Sequence, residues 1–148
     1  MNYRKADMRD ISSLVELRKK QLIDEGCYSD SDIDDELKRY FSEGIEKHTL
    51  VVWLAIEEEY IIGTAGVCYF QYPPSFTNPT GKIAYITNVY TRDEYRKQGV
   101  ATELLELVME EVKSEGCKFA RLHASEQGKG LYEKIGFADA QGFMSMRM

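Results

Sequence analysis

Residues 82–116 carry the pattern that most restricts the fold. KIAYITNVYT, residues 82–91, is dense in β-branched and aromatic residues and reads as a strand. After a polar stretch, Ala101, Leu104, Leu105, Val108, Met109 and Val112 recur at helical spacing as far as Gly116, the strongest such periodicity in the chain. CKFARLHAS, residues 117–125, then reads as another strand. Strand, helix and strand in this order are expected to close as a right-handed parallel crossover on one sheet.

The flanking segments extend that sheet. Tyr3 to Lys5 is a short first strand, and in ADMRDISSLVELRKKQLIDEG the residues Ile11, Leu14, Val15, Arg18 and Leu22 share one helical face, with Gly26 as its stop. SDSDIDDELKRYFSEGIEKH opens with Ser31 or Asp32 as cap and spaces Ile33, Leu37, Tyr40 and Phe41 helically. TLVVWLAIE and YIIGTAGVCYFQ, joined through Glu57 to Glu59, form a hairpin. YPPSFTNPTG holds all three prolines and reads as a surface loop, long enough to wall a binding site. QGKGLYEKIGF is a short helix ended by Gly136, and the remainder, broken at Gly142, is read as two terminal strands. The expectation is an α/β (α+β) chain, residues 1–148 forming one domain, with about six to seven strands and about four helices.

Charge and cysteine usage narrow the function. A net charge of -6 speaks against nucleic-acid binding, which needs a basic face to neutralise phosphates. Cys27, Cys68 and Cys117 are odd in number and far apart, so neither a disulfide framework nor a metal site is expected. MNYRKADMRD lacks a signal-peptide core and no window is apolar enough for a membrane span, so the expected location is cytoplasmic.

Between strand and helix lies RDEYRKQGVA. A helix N-terminus presents free N–H groups and the positive end of the dipole, and Gly99 lets a phosphate approach. The stretch lacks the Lys-Ser/Thr of a P-loop and the three glycines of a dinucleotide fingerprint. Arg96-x-x-Gly99-x-Ala101 resembles instead the R/Q-x-x-G-x-G/A pyrophosphate loop of the GNAT superfamily of N-acetyltransferases. GLYEKIGF, Gly130 to Phe137, is similar to that family's late helix with its Tyr-x-x-x-Gly-Phe ending, and the element order along the chain matches as well.

The resemblance implies a mostly antiparallel central sheet and acetyl-CoA as co-substrate, with no metal. It implies that the main-chain N–H groups of Lys97, Gln98, Gly99, Val100 and Ala101, with Thr102, wrap the CoA pyrophosphate, Arg96 and Lys97 adding positive charge. The preceding strand is typically splayed by a bulge and pairs with pantetheine; Asn88, Val89, Tyr90 and Thr91 occupy that stretch here. Ser125 is a further cofactor contact, and Tyr132 matches the family tyrosine near the thioester sulfur. The implied reaction is acetyl transfer to a primary amine by direct attack, with Val89 N–H facing the oxyanion and Tyr132 protonating the leaving thiolate.

Other assignments stay open at this level. His123, Glu126 through water, or an acidic side chain of the early helices are candidates for the general base. The acidic group Asp24, Glu25, Asp30, Asp32, Asp34, Asp35 and Glu36 reads most simply as helix capping and a solvated face, and alternatively as the border of a site for a cationic acceptor. Trp53, Tyr69, Phe70 and Tyr72 pack the sheet, or Tyr69 to Phe76 shape the acceptor pocket. Cys68 and Cys117 read as small buried hydrophobes. A non-catalytic CoA-binding sensor and a transferase for longer acyl chains are the rival readings, and dimers are common in the family, so a homodimer stays open.

Overall fold

The computed structural model describes residues 1–140 and 142–148. Five strands form one sheet in the order β1 (Asn2–Lys5), β2 (Leu50–Glu57), β3 (Tyr60–Gln71), β4 (Lys82–Thr91) and β5 (Ala120–Arg121). The first four are antiparallel neighbours, and β5 joins β4 in parallel, as the crossover through the intervening helix requires. The β2–β3 turn places Glu58 and Glu59 in the left-handed region, at φ 48° and 71°, the geometry that matches the twist of a tight hairpin.

Four helices flank the sheet: α1 (Ile11–Asp24), α2 (Asp34–Glu46), α3 (Val100–Ser114) and α4 (Lys129–Ile135). The pleat of β2 divides the core. Leu50, Val52 and Leu54 pack with Leu14, Val15 and Phe41 of α1 and α2, whereas Val51, Trp53 and Ala55 face the cluster of Leu104, Leu105, Val108 and Val112 on α3. No helix among the described residues is long and apolar enough to cross a membrane.

Two expectations need correction. The sheet has five strands among the described residues, not six to seven, since the two strands expected after α4 do not form; β5 spans only two residues. β5 itself is short because only Ala84 and Tyr85 of β4 pair with it, at Ala120 and Arg121. Strand propensity without a pairing partner yields no ladder. On α1 the buried stripe is Leu14, Val15, Leu17 and Gln21: Leu14 and Val15 are buried as expected, whereas Ile11, Arg18 and Leu22 are half-buried, because the helix packs against both α2 and β4.

Candidate active site

The bend in β4 is a bulge. Thr64 pairs with Tyr90 and Gly66 with Thr87, so Asn88 and Val89 together oppose Ala65, and Asn88 adopts φ 55°. Two side chains hold it: Thr64 Oγ1 donates to the Asn88 carbonyl at 2.6 Å from within the sheet, and Gln21 Nε2 of α1 donates to the Val89 carbonyl at 3.2 Å. In a trans peptide the C=O and the following N–H point oppositely. Because the Asn88 carbonyl is turned toward β3, the Val89 N–H is turned away from it, toward the gap left by β5. That gap is a cleft of about 730 Å³, lined by Val89, Tyr90, Thr91, Arg96, Lys97, Ala101, Ser125 and Tyr132 among others.

The turn between β4 and α3 forms one end of the cleft. A 3-10 turn, Asp93–Tyr95, is followed by Lys97 at φ 60° and Gly99 at φ 84°. Alternation of this kind points successive amides to one side as an anion nest. The amides of Lys97 through Thr102 donate to no acceptor among the described residues, and Gly99 caps α3 without a side-chain partner. A Cβ on Gly99 would meet no protein atom within 4 Å, so glycine is required by the backbone conformation. A smaller hollow of about 180 Å³ opens here, lined by Thr91, Gly99, Val100 and Thr102. Thr91 Oγ1 is buried there without a hydrogen-bond partner among the described residues.

Arg96 braces this turn. Its Nε donates to the Thr91 carbonyl at 2.9 Å, and its guanidinium pairs with Asp93 at 3.0 Å and Asp24 at 3.6 Å. Much of its charge is therefore answered within the protein. Lys97 has no ion-pair partner among the described residues. The Gln98 side chain donates to the Glu94 carbonyl at 3.2 Å, leaving only its main chain for the nest. Tyr90, expected among the cofactor contacts, sends its hydroxyl to Asp24 at 3.0 Å, and burial followed by that hydrogen bond pushes its pKa up to about 12.

The opposite wall comes from residues 122–132. Ser125 Oγ accepts the Gly128 N–H at 3.1 Å, starting α4 one turn before Tyr132. Gly128 leaves room for the Tyr132 ring, since a Cβ there would lie 2.9 Å from Tyr132 Cε2 and 3.2 Å from Ser125 Oγ. Tyr132 is 9% exposed, packs edge-on against Phe137 and makes no hydrogen bond through its hydroxyl among the described residues. Burial, reinforced by the Glu25 carboxylate, pushes its phenol up to about 12, so it is a proton donor at neutral pH.

At the end remote from Gly99, Arg18, Tyr85 and His123 line the cleft, with Tyr85 Oη 2.6 Å from His123 Nδ1. Of the acidic group only Asp24 and Glu25 reach it; Glu126 and the loop 72–81 do not. Phe70 instead stacks edge-on against Tyr85 at 5.7 Å. Cys68 and Cys117 are half-buried. The sequence reading missed Gln21, Thr64 and Tyr85; a polar Gln one heptad after Leu14, inside an apolar stripe, was the available signal for the first.

Comparison with known proteins agrees with this architecture. The model of the acetyltransferase (GNAT) family matches residues 12–137. A thialysine N-epsilon-acetyltransferase of Sus scrofa is 31% identical over 91 residues, 57% of this chain and 54% of that protein, so the match spans about half the length of that relative. A glucosamine 6-phosphate N-acetyltransferase of Arabidopsis thaliana is 28% identical over 125 residues, covering 84% of this chain and 81% of that protein. The crystal structure of a predicted acetyltransferase with acetyl-CoA from Clostridium acetobutylicum superimposes with a TM-score of 0.96 at 44% identity, covering 99% of this chain and 95% of that one. By sequence over most of its length and by fold throughout, the chain belongs to the acetyltransferase (GNAT) family.

Proposed function

We propose that residues 1–148 act as one unit that transfers an acetyl group from acetyl-CoA to a primary amine, by direct attack with both substrates bound. The observation that carries this reading is the run of unpaired amides from Lys97 to Thr102 at one end of a cleft that continues past a bulged strand to the Tyr132 phenol. The solved structure with acetyl-CoA and the relatives named for two different amines support the same class of reaction.

The residues suit the cofactor. The nest amides and the Lys97 ammonium would hold the diphosphate, with the orphaned Thr91 hydroxyl close by. The open side of β4 would align the pantetheine arm as an added strand. When bound, acetyl-CoA supplies the activated acyl group; everything else falls to this chain.

The Val89 N–H, fixed by Thr64 through the Asn88 carbonyl, is a preorganised donor for the oxyanion. Tyr132 would supply the proton for the sulfur, which leaves with the C–S electron pair only after the amine nitrogen has bonded to the carbonyl carbon. A lysine-like amine with a pKa of about 10.4 is mostly protonated at neutral pH, and freeing it costs roughly 4.6 kcal/mol. Among the side chains lining the cleft, Asp24, Glu25 and His123 carry groups that can take up that proton.

Calorimetric titration with acetyl-CoA, followed by a thiol-release assay against a panel of amines, tests the reading. Binding with amine-dependent thiol release is expected. Binding without release for any amine would identify a CoA-binding module, and no binding would remove the nest assignment.

A further inference from the structure

The cleft has a polarity set by how α1 lies along β4. Asp24 meets Tyr90 at 3.0 Å and Gln21 meets Val89 at 3.2 Å, so the two elements run in the same direction. Arg18, six residues before Asp24, lies about 9 Å back along the helix axis, on the far side of the bulge from the diphosphate nest. Tyr85, bonded to His123, lines the same part of the cleft. Burial raises the Tyr85 phenol pKa, and the Arg18 charge is near enough to oppose that rise.

The electrostatics of the two ends differ. Arg96, beside the nest, is answered by Asp24 and Asp93. Arg18 is half-buried, gives one N–H to Gln21 Oε1 at 3.2 Å, and has no carboxylate partner among the described residues. A guanidinium carries five N–H donors in a rigid fork matched to carboxylate and phosphate. Holding one partly out of water without a counter-charge is unfavourable unless a ligand provides it. The Tyr85–His123 pair, linked at 2.6 Å and lining the same end, adds further polar capacity within reach of a bound anion.

Resting on the acetyltransferase reading, we propose that the acceptor is an amine carrying an anionic group, a carboxylate or a phosphate ester, which Arg18 binds with the Tyr85–His123 pair while the amine points toward the bulge. Glu25, the residue capping the C-terminus of α1 and also lining the cleft, gives the ammonium end a carboxylate to face. The acceptor would thus lie along α1 with its charges opposed to those of the helix face.

Matched acceptors test this on the full chain: 5-aminopentanoate against pentylamine, and O-phosphoethanolamine against ethanolamine. At least one anionic member should exceed its neutral counterpart at least tenfold in kcat/KM, and the better of the two identifies the anion. Arg18→Met, which keeps the apolar stem, should bring that ratio to about one, and Arg18→Lys should restore part of it. A readout independent of turnover is calorimetric titration of both anionic amines into protein saturated with CoA. At least one should bind the wild type at least tenfold more tightly than Arg18→Met. Equal binding by the two proteins, or turnover that ignores the anion, overturns the proposal. Failure of acetyl-CoA itself to bind would instead strike the reading beneath it.

Discussion

The Thr64 hydroxyl and the Asn88 carbonyl meet at 2.6 Å inside the sheet, both residues buried, and this one bond orients the peptide that ends in the Val89 N–H. Thr64→Val keeps the shape and removes the donor, leaving a buried carbonyl short of a partner at a cost of about 1–3 kcal/mol. If Val89 N–H serves the oxyanion, kcat should also fall by roughly tenfold or more, a fraction of the loss expected on deleting an oxyanion donor outright. Acetyl-CoA affinity should change little, and Thr64→Ser should recover much of the rate. Loss of stability with unchanged kcat would reduce the contact to a purely structural role.

Gly99 sits at φ 84° with open space where a side chain would begin. Gly99→Val therefore strains the backbone by about 1–2 kcal/mol and also projects carbon into the nest. Thermal unfolding and acetyl-CoA calorimetry should separate the two effects: a drop of a few degrees in Tm together with a Kd raised at least tenfold. Strain alone, with unaltered Kd, would mean that the amides from Lys97 to Thr102 do not hold the diphosphate.

Much of this site was legible in the chain, and the misses have physical causes. The nest announced itself through Gly99, because a left-handed residue ahead of an apolar helical stripe has a local sequence signature. Lys97, left-handed without being glycine, carries no such signature; its conformation is imposed by the turn that Arg96 braces. Thr64 was invisible as a site residue and Gln21 was marked only by its polarity inside an apolar stripe, because their importance lies in contacts with Asn88 and Val89, which sequence separation conceals. Arg18 was read as part of an apolar face from spacing alone, whereas β4 leaves that part of the helix open to the cleft. The length of β5 is set by how few residues of β4 it pairs with, a tertiary matter that strand propensity does not encode.

Tyr132 can be tested by two routes. Tyr132→Phe removes a hydroxyl that has no partner among the described residues, so stability should hold while kcat drops by roughly 100-fold or more, in the range for a lost general acid. Gly128→Ala should slow the reaction with the phenol retained, because its Cβ would press on the ring at 2.9 Å. Combining them should cost little more than Tyr132→Phe alone, since both act through one group. In the wild type the rate should not decline through loss of this proton until pH nears about 12. An ordinary alkaline limb near pH 10 that vanishes in Tyr132→Phe would contradict a buried, protonated phenol.

Acid stability is set partly at the start of α1. Arg4 grips Asp10 through two hydrogen bonds, at 2.8 and 2.9 Å, and the Asp7 N–H adds a third at 2.9 Å, tying β1 to the helix entry. The Arg4 hydrogen bond holds the Asp10 carboxyl below its ordinary range although burial opposes it. A depressed native pKa means that this stabilisation is complete above the unfolded value, near about 4, and is lost as pH falls through the native one. Asp10→Asn should therefore cost about 2 kcal/mol at pH 6, a figure moderated by the solvent exposure of Arg4. At pH 3 the gap between variant and wild type should narrow. Urea unfolding at both pH values measures it directly, and a gap that stays constant would show that Asp10 is not the carboxylate whose protonation matters.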